Sequence, residues 1–390
     1  MKLTITRSAL ADLMSKGGSA APRNSPIPIL GHARLVAKGG VLKIATSDFE
    51  MQAEAFGEAS VEKDGSTTVS AEKLSSVVSR LPSDATISLT LDGADVILKA
   101  SPGRTRLKLA TLPVTDWPAL DFPTEGAATF DLTGAEMTRL FARTHEAARI
   151  NANNARPIAS VFLHIREWQG ATHLAAVGTN GHIAVVTAVA LPEGADAMPA
   201  NGGGQNGIVL SLDTVAAVLK LFKGAETVRV RATDRVVAFE DGRARLISKL
   251  LDTAYPDYQR IIPEPSPTKA LVDRSRGLAV LNLLEAFAGR ENGHKLECGP
   301  AQGGLILAAA EVGGEGFDHV EAEIEGGVEP FGVSSLYLKT LFNSYGGARV
   351  SLSFNGSGNA IRVTADDEPD TVAVLMPMRV SGDLVRRLAA

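Results

Sequence analysis

Apolar residues at i, i+3, i+4 and i+7 recur in this chain as Leu74, Val77, Val78, Leu81 and again as Leu338, Leu341, Phe342, Tyr345. On an α-helix that spacing gathers side chains onto one face, so each stretch predicts a short amphipathic helix. Directly afterwards the period drops to two, in Ala85-Thr86-Ile87-Ser88-Leu89-Thr90-Leu91 and in Arg349-Val350-Ser351-Leu352-Ser353-Phe354. Such alternation predicts strands with one buried face. Residues 210–224, followed by Thr227-Val228-Arg229-Val230-Arg231-Ala232, repeat the succession a third time.

The repetition extends backwards from each helix. A strand-like word precedes every copy: Leu42-Lys43-Ile44-Ala45-Thr46-Ser47-Asp48, Leu174-Ala175-Ala176-Val177-Gly178-Thr179-Asn180 and Leu305-Ile306-Leu307-Ala308-Ala309-Ala310. Further helical patterns open the copies at residues 8–16, 134–150 and 275–290. The chain therefore reads as an α+β protein of three repeats, each with two helices packed on antiparallel sheets. Proline-rich stretches, Pro118-Ala119-Leu120-Asp121-Phe122-Pro123 and Pro263-Glu264-Pro265-Ser266-Pro267, interrupt the pattern between copies. They set the expected domains at 1–124, 125–265 and 266–390.

Composition narrows the class. With 390 residues, 45% hydrophobic and 21% charged, the chain has the make-up of a folded protein of several domains. No apolar run is long enough to span a bilayer and no secretion signal opens the chain, so a soluble cytoplasmic protein is expected. A single cysteine, Cys298, excludes an intrachain disulfide framework and a thiolate metal cluster. The seven histidines lack metal-ligand spacing, and the acidic stretch 311–329 lacks a calcium-loop pattern and reads as a solvated sheet face. Gly202-Gly203-Gly204-Gln205-Asn206-Gly207 fits G-x-G-x-x-G but precedes a strand, so it reads as a loop; neither cofactor nor metal is expected. The net charge of −5 argues against nucleic acid, yet the six helical windows together carry +5 and the remainder −10. That split suggests a basic helical face and an acidic strand face, although solvated helix-forming Lys and Arg would give the same count.

Specific words then become legible. Ile27-Pro28-Ile29-Leu30-Gly31, Thr46-Ser47-Asp48-Phe49-Glu50-Met51 and Thr111-Leu112-Pro113-Val114-Thr115-Asp116-Trp117-Pro118 resemble the first domain of the bacterial DNA polymerase III beta subunit family, the sliding clamps. Ser248-Lys249-Leu250-Leu251-Asp252 with Tyr255-Pro256-Asp257-Tyr258-Gln259-Arg260 resembles the second-domain signature, and Val374-Leu375-Met376-Pro377-Met378-Arg379-Val380 the C-terminus. The words keep the family order and span essentially the whole chain.

The resemblance implies a non-enzymatic processivity factor: a head-to-tail homodimer closing into a ring around duplex DNA, without sequence preference and without any membrane role. Partners implied are the replicative polymerase, the clamp loader and other proteins bearing clamp-binding motifs. Cations expected to line the ring are Arg23, Lys73, Arg80, Arg139, Arg143, Arg149, Lys220, Lys223 and Lys339. The implied partner-peptide pocket comprises Ile158, Thr179, Gly181, His182, Ile183, Ala184, Pro256, Arg260, Ile261, Tyr337, Val374, Leu375, Met376, Pro377, Met378 and Arg379. The implied dimer contact sets Leu107 against Leu283 and Leu284.

Departures from the family pattern bear on the pocket. Thr179-Asn180-Gly181-His182-Ile183-Ala184 stands where Thr-Asp-Gly-His-Arg-Leu is usual, and Val333-Ser334 replaces Phe-Asn. The family commonly ends near Val380, whereas residues 381–390 continue here and are expected to shield the pocket. Two rival classes stay open: an enzyme using carboxylates such as Asp48 and Glu50, and an accessory clamp-like scaffold with an altered pocket and little or no DNA role.

Overall fold

The computed structural model describes residues 1–22, 24–122, 125–150, 158–168, 170–289, 293–311, 314–356 and 358–389. Among these the chain makes six passes of one β-α-β-β-β pattern. The first is β1 (Lys2–Thr6), α1 (Arg7–Gly17), β2 (His32–Lys38), β3 (Val41–Ser47) and β4 (Met51–Glu58), continued by β5 (Ser60–Lys63). The second is β6 (Gly65–Ser70), α2 (Ala71–Arg80), β7 (Thr86–Asp92), β8 (Asp95–Ser101) and β9 (Thr105–Ala110). The third is β10 (Ala128–Leu132), α3 (Gly134–Arg149), β11 (Ser160–Trp168), β12 (Ala171–Thr179) and β13 (Ile183–Ala190). The fourth is β14 (Gly207–Ser211), α4 (Leu212–Leu221), β15 (Val228–Ala232), β16 (Val236–Glu240) and β17 (Ala244–Lys249). The fifth is β18 (Lys269–Asp273), α5 (Arg274–Leu284), β19 (Lys295–Ala301), β20 (Gly304–Glu311) and β21 (Gly314–Glu325). The sixth is β22 (Phe331–Ser334), α6 (Ser335–Asn343), β23 (Arg349–Ser353), β24 (Ile361–Thr364) and β25 (Thr371–Leu375), after which comes α7 (Asp383–Ala389).

Each strand-to-helix junction is a local event. Thr6, Ser70 and Asp273 accept the N–H three residues on, at 3.3, 3.3 and 2.7 Å. Thr133 and Glu136 form a reciprocal capping box at 2.8 and 3.1 Å. These side chains satisfy backbone donors that a helix start leaves open, so the chain turns from strand to helix without a loop. The helix expected over 275–290 is shorter: α5 ends at Leu284, with the Glu285 N–H bonded to the Leu281 carbonyl.

The passes gather into two compact units. One comprises residues 1–138, 192–200 and 213–252, and holds the sheets β5-β1-β7-β8-β9 and β10-β15-β16-β17-β4-β3-β2-β6. The other comprises residues 139–191, 201–212 and 253–390 around one sheet of order β14-β11-β12-β13-β25-β24-β23-β18-β21-β20-β19-β22. Opening strands are exchanged between successive passes: β1 pairs with β7 and β6 with β2, as β18 pairs with β23 and β22 with β19.

Closing strands follow another rule. β4 pairs with β17, setting Ala53 opposite Leu246, and β13 pairs with β25, setting Val185 opposite Ala373. The closing strands of passes two and five, β9 and β21, lack such a partner among the described residues. β9 is the edge of its sheet, and β21 pairs with β20 on one side while meeting β18 only over 322–325.

Helices seat closely on the sheets because glycines remove side chains at the contacts. A Cβ on Gly178 of β12 would lie 1.9 Å from the Thr144 carbonyl oxygen of α3. Gly178→Ala should therefore cost roughly 2–4 kcal/mol of stability by overpacking. Chemical denaturation of the purified variant checks it; a midpoint equal to that of the parent chain would refute this reading of the helix–sheet contact.

Candidate partner-docking site and basic surface

The start of β13 and the end of β25 run side by side, with Ile183 opposite Leu375 and Ala184 opposite Val374, all four buried. Just before β13 the chain makes a polar turn. The Asn180 side-chain oxygen accepts the N–H groups of His182 and Ile183, each at 2.9 Å, and its amide donates to the Ile150 carbonyl at 2.8 Å. The Thr179 hydroxyl donates to the Ile183 carbonyl at 2.6 Å, and Gly181 sits at φ +87°, where only glycine is unstrained. Asn180 is thus well suited to a turn that needs a side-chain acceptor.

That turn holds His182 outward, its ring stacked on Tyr337 of α6 at 5.4 Å and 16°. The Met376 N–H bonds to the His182 carbonyl at 2.8 Å, leaving the Met376 side chain 41% exposed. Pro377 and Met378 are half-buried, Met378 N–H is held by the Gly332 carbonyl at 2.8 Å, and Arg379 is exposed. An apolar floor with an aromatic wall and a flexible thioether results, a surface that suits a short apolar anchor. The structure thus brings Thr179, Gly181, His182, Ile183, Ala184, Tyr337 and residues 374–378 together. Ile158 is half-buried just before β11, while Pro256, Arg260 and the exposed Ile261 are carried by a separate segment.

What fastens that segment was missed in the sequence. β11 presents Phe162, His164, Arg166 and Trp168 on one face, at period two. Phe162 stacks on His164 at 4.4 Å and on Tyr255 at 5.2 Å; Tyr258 meets His164 edge-on and shares a 2.7 Å hydrogen bond with its Nε2. Arg166 lies over Trp168 at 4.4 Å and over Tyr258 at 5.6 Å. Both tyrosines of residues 255–261 are therefore buried against one row of side chains, and Arg260 pairs with Asp257 at 2.7 Å on the exposed side. The alternation 162–168 was the available signal, since a histidine and an arginine on the inward face of a strand need partners.

The cations divide by unit. Lys73, Arg80, Lys220 and Lys223 are exposed and carry no ion pair among the described residues, and Lys73 and Lys220 line one open cavity of about 920 Å³. Arg139 pairs with Asp370 at 2.9 Å, Arg143 with Glu368, Arg149 with Glu146 at 2.7 Å, and Lys339 with Glu285 at 2.9 Å. Arg23 lies outside the described residues. At the expected dimer contact Leu107 is 36% and Leu283 57% exposed, whereas Leu284 is 1% exposed. Adjacent helix residues point apart, and Leu284 faces the core with Leu281 and Val280.

Residues 383–389 of the tail expected to shield the pocket form α7. α7 lies on β19 and β20, where Val385 packs with Ile306 and Ala308, and Leu384 and Leu388 flank it. Those two sheet residues seat the apolar face of α7.

Neither candidate carboxylate is set up for acid–base work. Asp48 accepts the N–H groups of Glu50 and Met51 in a turn, and Glu50 is a largely exposed partner of Lys249 at 3.1 Å. Burial pushes the Cys298 thiol well above its ordinary pKa, which keeps it an inert core residue. No cluster of metal-binding side chains and no helix long and apolar enough to cross a membrane occurs among the described residues.

Six β-α-β-β-β passes, paired through their closing strands into two long antiparallel sheets, define the class of fold. The comparisons with known proteins agree. The model of the DNA polymerase III beta subunit, N-terminal domain, matches residues 1–121. The beta sliding clamp of Caulobacter vibrioides is 31% identical over 97% of this chain and 100% of its own, and that of Pseudomonas aeruginosa 26% with the same coverage. The Caulobacter crescentus pol III beta structure superposes with a TM-score of 0.87 at 27% identity, and the Bartonella birtlesii sliding clamp with 0.90 at 23%, each over 97% of this chain and 100% of the other. The chain belongs to the beta sliding clamp family and acts as a processivity factor, without catalysis of its own.

Burial of His164 sets a pH window. Loss of water around the charged ring is the main cause that pushes its pKa down to about 4. The unfolded chain takes up this proton near pH 6.5, about 2.5 units earlier, so stability is complete above that pH and falls by about 3 kcal/mol as pH drops to 4. Urea midpoints across this range should show the slope, and His164→Gln should flatten it. An equal slope in the variant would assign the effect to other groups.

Proposed function

We propose that two copies of this clamp close head to tail into a ring around duplex DNA and tether the replicative polymerase, with a clamp loader and other motif-bearing proteins using the same docking shelf. The carrying observation is the pair of open closing strands. Where closing strands meet within the chain, they do so with one register, Ala53 opposite Leu246 and Val185 opposite Ala373. Gly316 of β21 and Leu107 of β9 are the equivalent positions. Joined in that register, Leu107 of one copy stands opposite Gly316 of the next, Lys108 opposite Glu315, and Arg106 opposite Phe317. A basic edge thereby meets an acidic one, and a head-to-tail contact that closes leaves no closing strand without a partner.

The exchange of opening strands between successive passes supports three domains, at 1–124, 125–265 and 266–390. Arg23, Lys73, Arg80, Lys220 and Lys223 would contact phosphates, with the paired Arg139, Arg143, Arg149 and Lys339 adding weaker contacts. Phosphate contacts carry no sequence information, which lets a ring slide. Such work belongs to the bacterial cytoplasm.

Two experiments test this. Loaded onto nicked circular DNA, the protein should remain bound through gel filtration and leave when the circle is cut; binding that survives cutting and yields only to salt would exclude encirclement. Leu107→Asp should abolish retention by opening the seam. At the shelf, Met376→Asp should weaken binding of a partner peptide on the order of tenfold while ring retention stays intact. Unchanged peptide affinity would move the docking site elsewhere.

A further inference from the structure

The C-terminal helix sits beside an edge that the ring reading needs. In β20, Leu305, Leu307 and Ala309 face the core, and Ile306 and Ala308 face the other way, toward Val385. Their partners across the ladder to β21 are His319 and Phe317, and Ala310 stands opposite Glu315, so these three exposed residues lie on the same side of the sheet as α7, next to the strands it covers. The fit is close: a Cβ on Gly299 of β19 would lie 3.1 Å from a Val385 methyl carbon. Arg387 extends from α7 to Glu315 at 2.5 Å, and Phe317, 47% exposed, lies edge-on to His319.

Glu315 and Phe317 are the positions that the seam register sets opposite Lys108 and Arg106 of a second copy. On these grounds we propose that α7 is part of the subunit seam. It forms an outer wall that stiffens β21 and orders Glu315 for the incoming β9 of a second copy of this chain. This rests on the ring reading above. Two features give the wall its effect. Val385, Leu384 and Leu388 cover a face of β19 and β20 that would otherwise be apolar and wet, so those two strands, one of them the neighbour of β21, are packed on both faces. Arg387 then makes Glu315 the centre of a small charge network rather than an isolated surface ion, the setting in which exposed pairs contribute measurably.

The test is the dimer dissociation constant, measured by sedimentation velocity over a dilution series. Three chains are compared with the parent: deletion of 381–390, the full-length Val385→Asp/Leu388→Asp double variant, and Arg387→Ala. The first two should dimerise on the order of tenfold more weakly. Arg387→Ala, at an exposed position that folding does not depend on, should lose about threefold at low salt and nothing at high salt. Peptide binding at the docking shelf, measured on the same samples, reports whether the unit remains folded. Association as tight as the parent's, or tighter, in Arg387→Ala at low salt and in a folded tail variant would overturn the proposal. A parent chain that stays monomeric throughout the series would instead overturn the ring reading itself.

Discussion

An antiparallel strand at the end of a sheet leaves a row of backbone N–H and C=O groups without partners, and such an edge invites another strand. Much of this molecule is organised around where those edges go. β4 and β13 each find a closing strand from a later pass, so the sheets grow to eight and twelve strands instead of stopping at each pass. Among the closing strands, only β9 and the first part of β21 keep an open side among the described residues. In the proposed ring the opposite charges on them, Arg106 and Lys108 against Glu315, favour pairing of the two edges with each other over pairing of either with itself.

The same economy governs the helices. α1, α2, α3 and α5 are each started by a side chain at the end of a strand, and α2 and α4 bury one face and turn their cations outward. In the other unit, Arg139 and Arg143 are held by Asp370 and Glu368 of the loop before β25. A basic side chain tied to a carboxylate presents a weaker field than a free one. The charge available to a polyanion is therefore uneven along the chain, although the sequence distributes positive helices evenly.

Periodicity made the passes legible, because a helix face and a pleated strand are each written in neighbouring residues. α2, α4 and α6 and the strands after them lie where the spacing puts them. The junction of β4 with β17 was not legible: it joins residues far apart in sequence, and each strand alone reads like any other half-buried strand. The docking shelf was read from resemblance, since Met376 and Met378 look like ordinary core residues. The alternation 162–168 placed His164 on one face of a strand, but its meaning comes from Tyr258, a contact that only the fold creates. Leu283 and Leu284 were indistinguishable without the helix end that exposes one and buries the other. The tail was legible only as a continuation past Val380, and its seat on Ile306 and Ala308 depends on which face of β20 looks outward.

The pairing of β13 with β25 has a temporal consequence. Val185 meets Ala373, so the sheet of the second unit cannot be completed until nearly the whole chain has left the ribosome. Until then β13, a run of buried valines and alanines, waits with one side open. Contacts so distant in sequence form slowly, and a hydrophobic edge held open during synthesis is a hazard for aggregation. Production of the protein should therefore depend on how well the nascent chain is protected over its final stretch, more than on the stability of the finished fold.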